Sequence, residues 1–501
     1  MIPARPEVRD IKERAIQSMK WSAFTQIISR IATPLVFVVL ARILQRDDYG
    51  LMSVALIVVS FSQIFVDAGL GKTLIQTDAP LEKCADIVFW SNLCVGTAIY
   101  AVLFAGAPWL AVFFRSSEAA PVIRVLGITV VFTCLTTVQQ SLLTRELGFR
   151  PLFWVKLVSG FAPGIFSIAL ALRGFGVWAL VAGNLAGSLL NCVLLWVVSD
   201  WRPRMSFDVV LARSLFGFGG WVLAESFAGW FFAWGDNLLV GKYLGINDLG
   251  VYQVAWNTNT LLFSTLIGAF TAVLYPTFAR LRQDRQGLID LFHKSSRILM
   301  AITLPMGVGL LLVGGLVESV IFGSHWAGLG LILGLVAVLN GFFGVVAFNA
   351  ELYRAMGRPD INSKLLGVFI LYYFPAYVIA APYGLVVFAT VRVAVSLLTI
   401  PIHAVVCSRL LHISAAYVWT DGKKILGAVL VMAAGTLGAQ GILDRAGVAG
   451  PLALAVTLFA GAIIYRVALF LLDRRFLVQN WGLLNGFAGI RGKGADAGVV
   501  Q

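Results

Sequence analysis

Residues 42–55 read RILQRDDYGLMSVA and residues 242–255 read KYLGINDLGVYQVA. Leu44, Asp48, Gly50, Val54 and Ala55 recur as Leu244, Asp248, Gly250, Val254 and Ala255, a constant 200 positions later. Two further matches keep the order. Arg145, Gly148, Arg150, Pro151 and Lys156 return as Arg354, Gly357, Arg358, Pro359 and Lys364, and Gly176, Ala186, Ser188, Leu189 and Leu190 return as Gly384, Ala394, Ser396, Leu397 and Leu398. One such match could be chance where Leu, Gly and Ala abound. Three in order with nearly constant offset mark an internal repeat.

The chain around these matches is 501 residues long, 59% hydrophobic and only 13% charged, far from the balance of a soluble domain. A spanning helix needs about 20 mostly apolar residues. Windows bounded by charge, Gly or Pro predict six spans near 21–41, 49–70, 85–110, 122–143, 152–172 and 176–198. Six more lie near 215–240, 249–275, 298–320, 328–352, 363–381 and 384–406, and two close the chain near 425–441 and 451–472. The repeat unit is thus six spans. An even number brings both copies into the membrane from the same side, which predicts a parallel repeat about an axis along the membrane normal.

The expectation is an all-α polytopic membrane protein of about 14 transmembrane helices, with two six-helix lobes around a central cavity. Its parts are a cytoplasmic N-terminal segment 1–20, lobes 21–205 and 206–410, an additional helix pair 411–475 and a cytoplasmic tail 476–501. Cytoplasmic loops keep the excess of Lys and Arg. With the N-terminus inside, the outer loops hold only Arg42, Arg46, Arg115, Arg124, Arg173, Lys242 and Arg445, and Arg30, Arg392 and Arg466 fall within spans. The rest of the 38 basic residues lie on the inner side, so both termini are expected in the cytoplasm.

Several functions are disfavoured. The net charge of +13 sits between apolar runs rather than on a stripe with interleaved aromatics, so no nucleic-acid partner is expected. Cys84, Cys94, Cys134, Cys192 and Cys407 lie in or beside apolar runs without His at ligand spacing, so no metal site is expected. Gly71-Lys72-Thr73 imitates the end of a phosphate-binding loop, but Val66 stands where the first Gly is required. His293, His325, His403 and His412 are scattered. No catalytic site and no cofactor is expected.

The first loop and second span, ARILQRDDYGLMSVALIVVSFSQIFVDAGLGKTLIQ (41–76), resemble polysaccharide flippases of the Wzx type, within the multidrug/oligosaccharidyl-lipid/polysaccharide exporter superfamily. LLTRELGFRPLFWVKL (142–157), GFGVWALVAGNLAGSLLNCVLLW (174–196) and DNLLVGKYLGINDLGVYQVA (236–255) carry the same resemblance, which runs from about 12 to about 410. It implies two six-helix bundles alternating between inward-open and outward-open states in a bacterial inner membrane. The implied substrate is an undecaprenyl-pyrophosphate-linked repeat unit of exopolysaccharide, lipopolysaccharide or capsule. The implied partners are this lipid-linked oligosaccharide, membrane lipid, and a polymerase with its export machinery. The alternatives are a cation-coupled multidrug exporter and a membrane glycosyl polymerase or ligase; short outer loops disfavour the latter.

Ionisable groups within spans cost roughly 2.5–3.5 kcal/mol at the bilayer centre, so they mark wet cavities or paired partners. Arg30 shares one helical face with Gln26 and Thr33, a positive polar stripe suited to a pyrophosphate headgroup. Arg392 in the twelfth span is the second-lobe candidate, with a structural ion pair as its other reading. Glu225 and Asp236 stand eleven residues apart on one stripe, about 16 Å along the helix. They are candidates for cation coupling, Asp236 having a helix-end cap beside Asn237 as its alternative. Asn257 and Asn259 could line a sugar path or join helices.

Overall fold

The computed structural model describes residues 33–67, 74, 80–146, 148–205 and 219–480. Gln26 and Arg30 lie outside the described residues. The described secondary structure is helical, with no strand. The described helices begin with α1 (Thr33–Ile43), α2 (Arg46–Asp67), α3 (Leu81–Phe113), α4 (Ala119–Arg145), α5 (Phe149–Leu172) and α6 (Val177–Val198). Then come α7 (Gly219–Tyr243), α8 (Ile246–Arg280), α9 (Arg285–Val317), α10 (Leu329–Phe343), α11 (Asn349–Ala355), α12 (Asp360–Ala380), α13 (Leu385–Leu397) and α14 (Thr399–Leu411). The chain continues through α15 (Tyr417–Arg445), α16 (Gly450–Leu472) and α17 (Arg474–Gln479).

Helices are what lipid demands, because every backbone polar group must find its partner within the segment. Among the described residues, 11 helical stretches are long and apolar enough to cross a membrane, and α1 and α10 are shorter apolar helices. The chain is therefore a multi-pass helical membrane protein.

The repeated aspartate is a helix-start residue. Asp47 and Asp48 occupy the first turn of α2, where negative charge meets the positive helix end. Asp48 Oδ2 also accepts the Gln45 backbone N–H at 2.8 Å, as the third residue of a capping box does. Asp248 holds the same place in the first turn of α8.

The described residues fall into two compact units. The first draws on Met1–Thr265, Val317–Leu333 and Asp360–Val395. Within it α3 packs on α4, α5 on α6, and α2 touches both α4 and α7, while α7 also packs on α12. The second draws on Leu266–Leu316, Gly334–Pro359 and Ser396–Gln501. Its core joins Ile298, Met300 and Leu304 of α9 to Ile425 and Met432 of α15 and Leu469 of α16. Helices α15 and α16 are thus built into this core, and Tyr465 Oη donates to the Ala301 carbonyl at 2.7 Å.

Candidate functional site

In the first unit, α7, α8, α12 and α13 together bury one ion pair. Arg392 of α13 donates through Nη1 to Asp236 Oδ2 of α7. The same oxygen accepts Tyr252 Oη–H of α8 at 2.7 Å, and Asp236 Oδ1 accepts the Asn237 backbone N–H at 2.7 Å and its side-chain N–H at 3.0 Å. The guanidinium lies 4.4 Å from the centroid of the Trp256 ring, 5.6 Å from Tyr252 and 6.0 Å from Tyr377. Asp236 is 2% exposed and Arg392 8%. Charges this deep persist only when paired; Arg392 Nε finds no hydrogen-bond acceptor among the described residues. The ring faces add a favourable quadrupole beneath the cation.

This box joins two candidate residues of the sequence in an ion pair, the other reading of Arg392. Arg392, the second-lobe headgroup candidate, and Asp236, a coupling candidate, neutralise each other here, while Asn237 remains beside Asp236 as a hydrogen-bond donor. Asp236 also lines a small pocket with Phe231, Phe232, Tyr373 and Tyr377. Tyr252, Trp256 and Tyr377 were not anticipated. A spacing of four between Tyr252 and Trp256, and between Tyr373 and Tyr377, was the available signal, since such pairs share a helix face.

Glu225 stands on the same helix in other surroundings. It is exposed. Asn257 is half-buried and its Oδ1 accepts Gln253 Nε2–H at 3.0 Å. Asn259 is fully buried and its Nδ2 donates to the carbonyls of Ala255 and Leu333 at 2.9 and 3.1 Å, so it ties α8 to the end of the 317–333 segment. Thr33 lines a largely apolar cavity of about 240 Å³ with Val36, Phe37, Tyr49, Gly160 and Phe161.

The first unit also holds a reciprocal contact between the two motif copies. A Cβ added at Gly50 would overlap the carbonyl oxygen of Ile246, and one added at Gly250 would overlap the carbonyl oxygen of Arg46. Each glycine thus meets the backbone four residues before its counterpart. Only glycine lets two helix backbones come this close. Beside the crossing, Asn247 Nδ2 donates to Asp47 Oδ1 at 3.1 Å. Arg46 donates to the carbonyls of His325 and Ala327 at 2.6 and 2.8 Å, and Trp326 Nε1 donates to the Ala41 carbonyl at 2.7 Å. Arg42 reaches the carbonyl of Val320 at 3.3 Å. Arg42 and Arg46 thus direct their guanidinium groups at backbone carbonyls.

The profile of a family described as "Polysaccharide biosynthesis protein" matches residues 39–329. The chain belongs to that family. The succinoglycan biosynthesis transport protein ExoT of Rhizobium meliloti (strain 1021) is 29% identical over 64% of this chain and 65% of its own length. The lipopolysaccharide biosynthesis protein WzxC of Escherichia coli (strain K12) is 24% identical over 74% of this chain and 75% of its own. Among solved structures, the lipid II flippase MurJ in an inward closed conformation superposes with a TM-score of 0.71 at 13% identity, covering 92% of this chain and 100% of that one. An inward-facing MATE family multidrug transporter of the MOP superfamily gives 0.58 at 14% identity, over 78% and 96%. The solved structures establish the fold, and the two relatives named above agree with the Wzx-type resemblance of residues 41–76 and 236–255.

Proposed function

We propose that the chain is a flippase that carries lipid-linked oligosaccharide repeat units, joined to undecaprenyl pyrophosphate, across the inner membrane by alternating access. It is a transporter and forms no covalent bond with its cargo. The reading has fourteen spans, two six-helix lobes over 21–205 and 206–410, and both termini in the cytoplasm. Arg30 and Gln26 are its proposed headgroup ligands, and a polysaccharide polymerase receives the product. Family membership and the names of the relatives support the cargo class.

The reciprocal crossing of Gly50 and Gly250 carries the alternating part. Loop charges assign this end of α2 and α8 to the outer side. A closure made by symmetry-related pieces of the two lobes opens when the lobes rotate apart, and its polar content is small: Asp47 with Asn247, and the Arg46 contacts. Such a contact can break without leaving a buried charge.

The test uses Asp47→Cys with Asn247→Cys in a background carrying Cys94→Ala, because Cys94 is the exposed cysteine among the described residues. The protein is reconstituted in vesicles with fluorescent lipid-linked oligosaccharide, and exposure of the sugar to an impermeant glycosidase is followed. Wild type is expected to equilibrate the leaflets, oxidation of the double variant to stop it, and reduction to restore it. Unaltered transport after verified cross-linking would sink alternating access through this closure. No acceleration by wild type over empty vesicles would sink the flippase reading itself.

A further inference from the structure

Glu225, Gly229, Phe232 and Asp236 follow one another at spacings of four, three and four along α7, so they form one stripe on the helix. The far end is closed by the Asp236–Arg392 box. The other three positions are open. Glu225 is exposed and makes no ion pair with any described residue. A Cβ built at Gly229 finds nothing within 4 Å, and Phe232 is 42% exposed. Ser226, half-buried, and Ala233, exposed, flank the stripe.

An exposed carboxylate with no ion-pair partner among the described residues is costly to place against hydrocarbon. The stripe is therefore a wall wetted by water, and Phe232 stands in it with one face bare. Its other side is firmly backed. Phe232 stacks on Tyr373 of α12 with centroids 5.8 Å apart and planes 20° apart. Tyr373 in turn stacks on Tyr377 at 5.6 Å and 21° and on Phe369 at 6.1 Å and 25°. All three backing rings are buried. A flat apolar ring held rigid at an aqueous wall loses part of the burial that normally stabilises a Phe side chain. A ligand that covers the bare face restores it.

We infer that Phe232, backed by Tyr373, is a stacking platform for a sugar ring of the transported glycan, with Glu225 accepting hydrogen bonds from hydroxyls farther along the chain. A pyranose has the matching chemistry: a face of C–H groups that packs on the ring, and an edge of hydroxyls that needs acceptors. The distance from residue 225 to residue 232 along the helix is about 10 Å, the length of a disaccharide. Gly229 and Ala233 leave room for its bulk. The inference rests on the flippase reading for the identity of the ligand, but the platform itself is a property of α7 and α12.

Binding is measured apart from transport. The probe is the free oligosaccharide released by mild acid from the host's own lipid-linked intermediates, and saturation-transfer NMR follows its contact with full-length protein in detergent. Phe232→Ala and Phe232→Leu are expected to weaken binding about tenfold or more, whereas Phe232→Trp, which keeps a flat face, retains it. Glu225→Gln is expected to weaken it less. Thermal unfolding curves that match wild type confirm that the variants are folded. Equal binding by the Leu variant and wild type would show that the ring meets lipid or solvent only, and no binding by wild type would equally overturn the platform. Binding by wild type with no movement of the lipid-linked form in vesicles would sink the flippase reading and leave the platform standing.

Discussion

Two aspartates in this protein are each buried against an arginine that lies on an aromatic ring, and they behave as opposites. Asp236 is held by Arg392, which lies 4.4 Å from the Trp256 centroid, inside the first unit. Asp473 is held by Arg297, which lies 4.6 Å from the Phe476 centroid, in the second unit. The first pair sits within spanning helices, and only 9% of the Arg392 side chain is exposed. The second sits where α16 ends and α17 begins. There 26% of the Arg297 side chain and 46% of that of Lys424, a second cation bound to Asp473 at 3.4 Å, are open. A charge pair far from water has no substitute partner if one member is lost. A pair at a helix end has water and a spare cation.

Removing Arg392 should therefore produce the largest effect. Arg392→Ala strands the Asp236 carboxylate and is expected to cost about 3–5 kcal/mol, read as a large fall in the unfolding midpoint in detergent. A loss below about 1 kcal/mol would mean that water reaches Asp236, and the contrast with Asp473 would disappear.

Arg297→Ala should cost less, about 1.5–3 kcal/mol for a hydrogen bond to a charged group, because Lys424 remains. Lys424→Ala should cost under about 1 kcal/mol and lose its effect in high salt. If Lys424→Ala proved as damaging as Arg297→Ala, Asp473 would need both cations and the redundancy argument would fail.

The smallest change is expected when both members of the buried pair are replaced. Asp236→Leu with Arg392→Met removes the charge and its desolvation penalty together, and should restore most of the stability lost by Arg392→Ala. A double variant as unstable as the single one would instead assign the box's worth to the hydrogen bonds from Tyr252 and Asn237.

Much of the helix pattern was legible in the chain. Apolar runs bounded by charge led to α3 through α6 and to α16 within a few residues of their ends, whereas α15 starts at Tyr417, well before the run at 425. The stripe of Glu225 and Asp236 was also legible, because helical phase is a matter of spacing. Their surroundings were not. The 225 end is exposed and the 236 end is sealed by an arginine 156 residues away, and no local rule links those two stretches. Asn259 shows the same limit: as a polar residue in an apolar run it implied a partner, but the Leu333 carbonyl lies 74 residues on.

From its sequence alone this chain was bound to cross a membrane as helices, since long apolar runs in lipid leave the backbone no other way to satisfy its polar groups. The doubled motif likewise determined that two helices would start alike, with Asp48 and Asp248 in their first turns and a glycine two residues after each. Only the tertiary structure decided that those glycines meet each other, that Arg392 is spent on Asp236, and that Phe232 keeps a bare face. Contacts of this kind depend on distance in space between segments far apart in the chain, and the energy of a buried charge or an uncovered ring depends on what the fold places next to it.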